Sequence, residues 1–305
     1  MVLMQSYDLC LAWNWEYDRD FVRLLEAACA SYGLAFLQVT EQNLASILAG
    51  LEGGGIGFGA CLDRASEADE RFLPLEAWAE AHAALCINPR GCSVLSVDKA
   101  GMYRSLTAAG IQTPATLFLP PYADQPDIPA PDLAPLGGSF AIKPARGGGG
   151  EGVVLEAGSL EQVLAARKQF PDEKYLLQAH VTPRRLDGRP AWFRILVCDG
   201  ATYASWWDPQ SHVYTRVTAG ERARFGLRDL YATPTRIARI CQLHLFSTEI
   251  ALSSDGRFLV VDYVNDPVDL RLQSRASDGV PDAFVEGIAR RLARLAGTRH
   301  RDRQD

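Results

Sequence analysis

The sequence has 305 residues, 48% of them hydrophobic and 22% charged, which is the usage of an ordinary soluble globular protein and excludes a disordered or fibrous chain. Such a length accommodates about two or three domain-sized units. With 31 basic and 37 acidic side chains the net charge is −6, and no basic block interrupts the body of the chain, so neither nucleic acid nor membrane is an expected partner. Cys10, Cys29, Cys61, Cys86, Cys92, Cys198 and Cys241 are odd in number and include no Cys-x-x-Cys pair, so they read as buried thiols of a reducing, cytoplasmic compartment. Residues 1–10 carry no targeting pattern, and nowhere do about 18 apolar residues run unbroken.

In chain order, short apolar runs at 8–13, 35–39 and 56–61 alternate with helix-period segments at 20–32, 42–51 and 67–84, the last containing Pro74. That alternation predicts a small parallel α/β unit over 1–97. A helix follows over 98–109, ended by Gly110, then an extended segment over 112–119. Seven prolines between Pro114 and Pro135 make a connector that cannot be helical. From 140 the texture is strand, glycine loop and strand, then a helix over 160–170 and a strand over 175–178. Strands at 192–198 and 202–207, a helix at 235–245, a hairpin over 248–264 and a helix at 281–296 complete the chain, with alternating charges predicting a disordered tail at 298–305. There is no internal repeat.

Lys143 lies on a strand that runs into Arg146-Gly147-Gly148-Gly149-Gly150-Glu151-Gly152-Val153-Val154. Gly147, Gly149 and Gly152 fit G-x-G-x-x-G, but a strand follows where a dinucleotide site needs a helix. The protein-kinase loop fits no better, because the lysine precedes the glycines and neither an H-R-D nor a D-F-G triplet occurs. A hairpin of bare N–H groups beside a lysine suits nucleotide phosphates; the plain alternative is a flexible surface hairpin.

In the hairpin, Asp255-Gly256 reads as a two-residue turn, which sets Ser254 opposite Arg257 and Glu249 opposite Asp262. Two facing acids call for a positive partner, and a divalent metal fits, magnesium before zinc, since the donors are oxygens and Asn265 adds another. Alternatively one acid pairs with Arg194, Arg257 or Arg271, or a slipped register separates them. Arg271 fits a clamp for a substrate carboxylate or, equally, a structural partner of Asp266 or Asp269. Trp192, Trp206, Trp207, Asp208, His212 and Tyr214 form an aromatic-rich group that reads as core or as pocket wall, while His82 and His244 read as structural.

In their order, Asp98-Lys99, Gly110-Ile111-Gln112-Thr113-Pro114, Lys143 before the glycines, Leu177-Gln178-Ala179-His180-Val181, Arg194, Glu249, and Asp262 to Asn265, these motifs resemble the ATP-grasp superfamily over most of residues 98–296. The resemblance implies an α/β N-terminal domain (1–97) followed by an α+β ATP-grasp fold of two subdomains (98–181 and 182–297). It further implies ATP and Mg2+ as cofactors, and an ATP-dependent ligase joining a small-molecule or peptide carboxylate to an amine through an acyl phosphate. A phosphotransferase or a non-catalytic nucleotide-binding regulator on the same fold are the alternatives. By position, Lys99 and Lys143 would hold phosphates, Gly147 to Gly152 would be the flap, and Gln178, Ala179, His180 and Val181 would meet adenine. Arg194 would steady the γ-phosphate, and Glu249, Asp262 and Asn265 would carry magnesium. Two departures stand out. The usual Glu-x-Asn is here Asp262-Tyr263-Val264-Asn265, one residue longer, so Asn265 can join Asp262 only across a bulge or strand end, and Ala179 replaces the acid commonly found after glutamine.

Overall fold

A computed structural model describes residues 5–147 and 150–302. Strands β1 (Gln5–Trp13), β2 (Phe36–Val39), β3 (Ile56–Arg64) and β4 (Leu85–Ile87) form a parallel sheet in the order β2-β1-β3-β4. The unbroken apolar run of β1 follows from being covered on both faces. Leu9 and Leu11 pack with Phe21 and Leu25 of α1 (Arg19–Ser31), whereas Cys10 and Ala12 pack with Leu44 of α2 (Leu44–Glu52) and Leu75 of α3 (Leu73–Ala81). The predicted helix at 67–84 is only Leu73–Ala81, because Pro74 is accepted in a first turn and not inside a helix. Two short helices follow, α4 (Arg90–Val97) and α5 (Lys99–Ala108). They part at Asp98, whose carboxylate accepts from the N–H groups of Ala100 and Gly101 and so caps α5.

Strands β5 (Thr116–Leu119), β6 (Phe140–Pro144), β7 (Val154–Ala157) and β8 (Tyr175–Ala179) make a second, antiparallel sheet in the order β5-β8-β6-β7, backed by α6 (Leu160–Arg167). A small hairpin, β9 (Arg185–Leu186) and β10 (Arg189–Pro190), leads to the third sheet. This antiparallel sheet runs β13-β12-β11-β14-β15, with β11 (Trp192–Cys198) in the centre, β12 (Ala201–Trp207) and β13 (Tyr214–Arg216) to one side, and β14 (Leu245–Leu252) and β15 (Phe258–Asn265) to the other.

Helix α7 (Ala219–Arg224) was not predicted, although Thr218 and Glu221 form a capping box that marks its start. The helix predicted at 235–245 is instead α8 (Arg228–Cys241), with Pro234 inside it and Gln242 closing it in a left-handed conformation. One buried proline removes a single intrahelical hydrogen bond, which the packing of Leu230 and Ile237 outweighs. The last helix, α9 (Asp282–Asp302), runs through 298–302 where a disordered tail was predicted; alternating charges add no apolar burial, but they do not oppose extending a formed helix. Residues 303–305 lie outside the described residues. Ile288 and Leu292 of α9 share one core cluster with Leu9 and Leu11, and no helix among the described residues is long and apolar enough to cross a membrane.

Two latches tie the N-terminal sheet to the third. Asn88 Nδ2 donates to Asp266 Oδ1 (2.8 Å) and to the Leu245 carbonyl, while its Oδ1 accepts from the N–H groups of His244 and Leu245. Arg64 pairs with buried Asp18 at 2.7 Å and donates to the Val268 carbonyl. Near the first latch, Glu76 is buried beside Asp63, and desolvation pushes its pKa up to about 7. A folded value above the unfolded one means that Glu76's contribution is most favourable below its usual pKa and is lost as pH rises toward 7. Glu76→Gln should therefore raise the melting temperature by about 2–4 °C at pH 8 and by nothing below pH ~4, read as melting curves across that range.

Candidate active site

The second and third sheets face one another across a cavity of about 490 Å3. Lys143 enters from β6 and donates from Nζ to Gln178 Oε1 on β8 at 2.8 Å; Gln178 Nε2 in turn meets the Val261 carbonyl and the Tyr263 hydroxyl. Burial lowers the pKa of Lys143, against the opposing pull of the Asp262 and Glu249 charges. Lys99 opens α5 and donates from Nζ to the Gly147 carbonyl at 2.8 Å, so the first lysine holds the root of the glycine loop. Gly147, Gly150 and Gly152 all have positive φ, and a Cβ on Gly152 would sit 2.5 Å from the Phe170 ring. Gly147 and Gly150 border the cavity, Gly152 packs on Phe170, and Gly148 and Gly149 lie outside the described residues.

The opposite wall is β11, β14 and β15. Glu249 and Asp262 are register partners as expected, but by a different route. Ser253, not Ser254, pairs with Arg257, so the loop is Ser254-Asp255-Gly256 with Gly256 at positive φ. A bulge between Ile250 and Glu249 then takes up the extra residue and restores the predicted pairing. A second irregularity, between Glu249 and Ser247, sets Asn265 opposite Ser247, and Asp262 and Asn265 both border the cavity. The longer Asp262 to Asn265 spacing is thus absorbed by the bulge that the sequence required.

Glu249 is already engaged. Its Oε1 lies 3.1 Å from Arg194 Nη1 and its Oε2 accepts from Trp192 Nε1 at 3.1 Å. Arg194 also donates to Ser247 Oγ and stacks over Trp207, while its Nε has no partner. Even so, burial holds the pKa of Glu249 above its ordinary value. Asp262 makes no ion pair among the described residues, and the buried Asn265 Nδ2 has no hydrogen-bond partner. No group of three or more His, Cys, Asp or Glu among the described residues is arranged as a metal site. The chain's own donors are therefore two carboxylates and an amide, the partial set that a hard cation takes when other oxygens complete its shell.

Ala179, His180 and Val181 border the cavity next to Gln178, as do Trp192, Trp207, His212 and Tyr214. His212 stacks on Trp207, with planes 6° apart; Trp206 instead packs on Phe193, and Asp208 caps its own loop. Tyr214 is buried, which pushes its phenol up to about 12 and keeps it protonated. Arg271 borders the cavity, but both edges of its guanidinium are taken, by Asp269 (2.7 Å) and Asp278 (2.8 Å). Of the two readings of Arg271, the geometry contains the structural partnership with Asp269, and Asp278 is a second partner. Asp278 was missed, since nothing in its local sequence distinguishes it from a loop acid. Ser247 was also missed, though its place two residues before Glu249 puts it on the same face of the strand.

No family model matches the sequence, and no curated protein matches it. Solved structures do. A D-alanine–D-alanine ligase from Bacillus anthracis complexed with ATP superposes with a TM-score of 0.66 at 12% identity, over 98% of this chain and 99% of that one. The ATP-grasp ligase PsnB complexed with a minimal precursor, Mg and ADP gives 0.62 at 15% identity, over 96% and 98%. A RimK domain ATP-grasp protein from Sphaerobacter thermophilus gives 0.61 at 23% identity, over 92% and 97%. The chain has the fold of the ATP-grasp ligases.

Proposed function

We propose that this chain is an ATP- and magnesium-dependent ligase that joins a carboxylate to an amine or related nucleophile through an acyl phosphate. The observation that carries the reading is the meeting of Lys143, Glu249, Asp262 and the unsatisfied Asn265 in one cavity between two sheets. The B. anthracis ligase holds ATP and PsnB holds Mg and ADP, which supports the same cofactors here. In this reading residues 1–97 precede the two grasp subdomains, 98–181 and 182–297.

Lys99 and Lys143 bind the phosphates, with Gly147 to Gly152 folding over them, and the backbone of Gln178 to Val181 takes the adenine edge. Glu249, Asp262 and Asn265 would hold magnesium, which supplies charge neutralisation to the phosphates when bound. Arg194 orients the transferring group, fixed in aim by Ser247 and Trp207. Closure of the glycine loop excludes water, so that the mixed anhydride formed on the substrate carboxylate meets the amine before it hydrolyses.

Hydroxylamine tests the reaction class, because it captures an acyl phosphate as a hydroxamate and leaves a phosphoester alone. With pooled carboxylates, MgATP and hydroxylamine but no amine, hydroxamate, ADP and phosphate are expected together. ADP with a stable phosphorylated product and no hydroxamate would make the chain a phosphotransferase. No acceptor-dependent ADP from any pool would make it a nucleotide-binding regulator.

A further inference from the structure

An amine that is to attack an acyl phosphate arrives protonated near neutral pH, and an ammonium has no lone pair to offer. A group at the substrate end of the cavity has to take that proton. Most of the acids and bases around the cavity are already engaged. Glu249 pairs with Arg194, while Asp269 and Asp278 hold Arg271. Burial pushes the Tyr214 phenol up to about 12, so it keeps its proton at neutral pH. His180 lies 3.8 Å from Glu156 beside Gln178, and Glu151 belongs to the glycine loop. Asp262 is set aside for magnesium in the reading above.

His212 is the exception. It borders the cavity from the loop between β12 and β13, and its ring makes no hydrogen bond among the described residues. The loop is built to present it. Asp208 accepts from the Gln210 N–H at 2.9 Å and from Ser211 Oγ at 2.7 Å, and the His212 N–H donates back to the Asp208 carbonyl at 2.8 Å. His212 itself stands in the left-handed region, at φ 57°, a conformation that is uncommon outside glycine and clusters at functional positions. Stacking on Trp207, 5.4 Å between ring centroids, fixes the imidazole plane, and the same indole carries the Arg194 guanidinium at 4.9 Å. One indole thus joins the arginine that orients the transferring group to a free imidazole. Asp208 and Asp278 lie within electrostatic reach of the ring and favour the imidazolium that proton uptake creates; the neighbouring cations, Arg194 and Arg271, are both paired already.

We propose that His212 is the base that deprotonates the amine substrate, a step that rests on the ligase reading above. The ammonium gives one proton to a ring nitrogen, and the freed lone pair forms the C–N bond at the acyl carbon. The C–O bond to phosphate breaks, its electron pair leaves on phosphate, and phosphate takes up the second N–H proton. The imidazolium then returns its proton to water. Imidazole suits the task because its charge ordinarily changes near neutral pH.

Hydroxylamine isolates this step, being largely unprotonated at neutral pH and so in no need of a base. With MgATP and the carboxylate that the hydroxylamine screen identifies, one arm receives hydroxylamine and the other ammonia with a pool of amino acids. His212→Asn is the variant, since asparagine tolerates the left-handed backbone and cannot take the proton. At about pH 7 it should form amide about 10^2-fold more slowly than the unsubstituted protein, while hydroxamate forms within about twofold. The deficit should shrink toward about pH 10, where amines lose the proton unaided, and added imidazole should restore part of the amide rate. Equal losses with both nucleophiles, or no loss with either, would overturn the proposal, as would hydroxamate without amide from any amine. No hydroxamate from either protein would defeat the ligase reading, and the base with it.

Discussion

Lys143→Ala should lose most of the thermal stabilisation that MgATP gives the unsubstituted protein, without lowering the melting temperature of the empty one. The ammonium is buried, its pKa is depressed by that burial, and its partner is the neutral amide oxygen of Gln178 rather than a carboxylate. Removing it therefore relieves desolvation instead of orphaning a buried acid, which is why the fold should tolerate the change. A ligand at about 100 times its Kd stabilises by about 2.7 kcal/mol. If the lysine neutralises phosphate oxygens, a loss of about 100-fold in affinity is expected, leaving about 0.4 kcal/mol at the same nucleotide concentration. Equal shifts in the two proteins would remove Lys143 from the site.

Glu249→Gln and Asp262→Asn should each lower acceptor-dependent ADP formation by about 10^3, and the double variant should be no worse than the more damaged single. The two carboxylates are register partners on one wall, so in the magnesium reading a cation held between them would be lost when either is neutralised. The singles differ in stability. Glu249 is the counter-ion of buried Arg194 and accepts from Trp192, so its substitution should also lower the melting temperature, whereas Asp262 has no ion pair among the described residues and its substitution should not. Additive losses approaching about 10^6 in initial rates would show that the acids act separately.

The candidate site was more legible than the path that builds it. Lys143, the glycines and the Glu249–Asp262 pairing could be read because each is a local pattern: a strand, a loop, a hairpin. The pairing came out right although the turn did not, since the extra turn residue and the bulge at Ile250–Glu249 cancel. A bulge has no reliable sequence signature, and only the spacing of Asp262 and Asn265 demanded one. Arg271 is legible only in part. Its pairing with Asp269, two residues away, is one of the two readings the sequence offers, but Asp278 enters by a loop whose course is set by tertiary packing. Helix limits at Pro74 and Pro234 erred in opposite directions, because proline's cost depends on whether it falls in the first turn or is outweighed by burial.

Arg194 stands beside Glu249 where a buried carboxylate needs a positive partner. With no cation bound, Glu249 would be a bare carboxylate in a buried wall; the guanidinium at 3.1 Å supplies the missing positive charge from within the chain. In the magnesium reading, a cation at Glu249 would take over this role, and Arg194, which stacks over Trp207, would be available to the phosphates. An Arg194→Met chain should then be less stable when empty yet lose little of that stability once magnesium is bound, so the residue's worth to the fold and its worth to turnover are expressed in different states of one molecule.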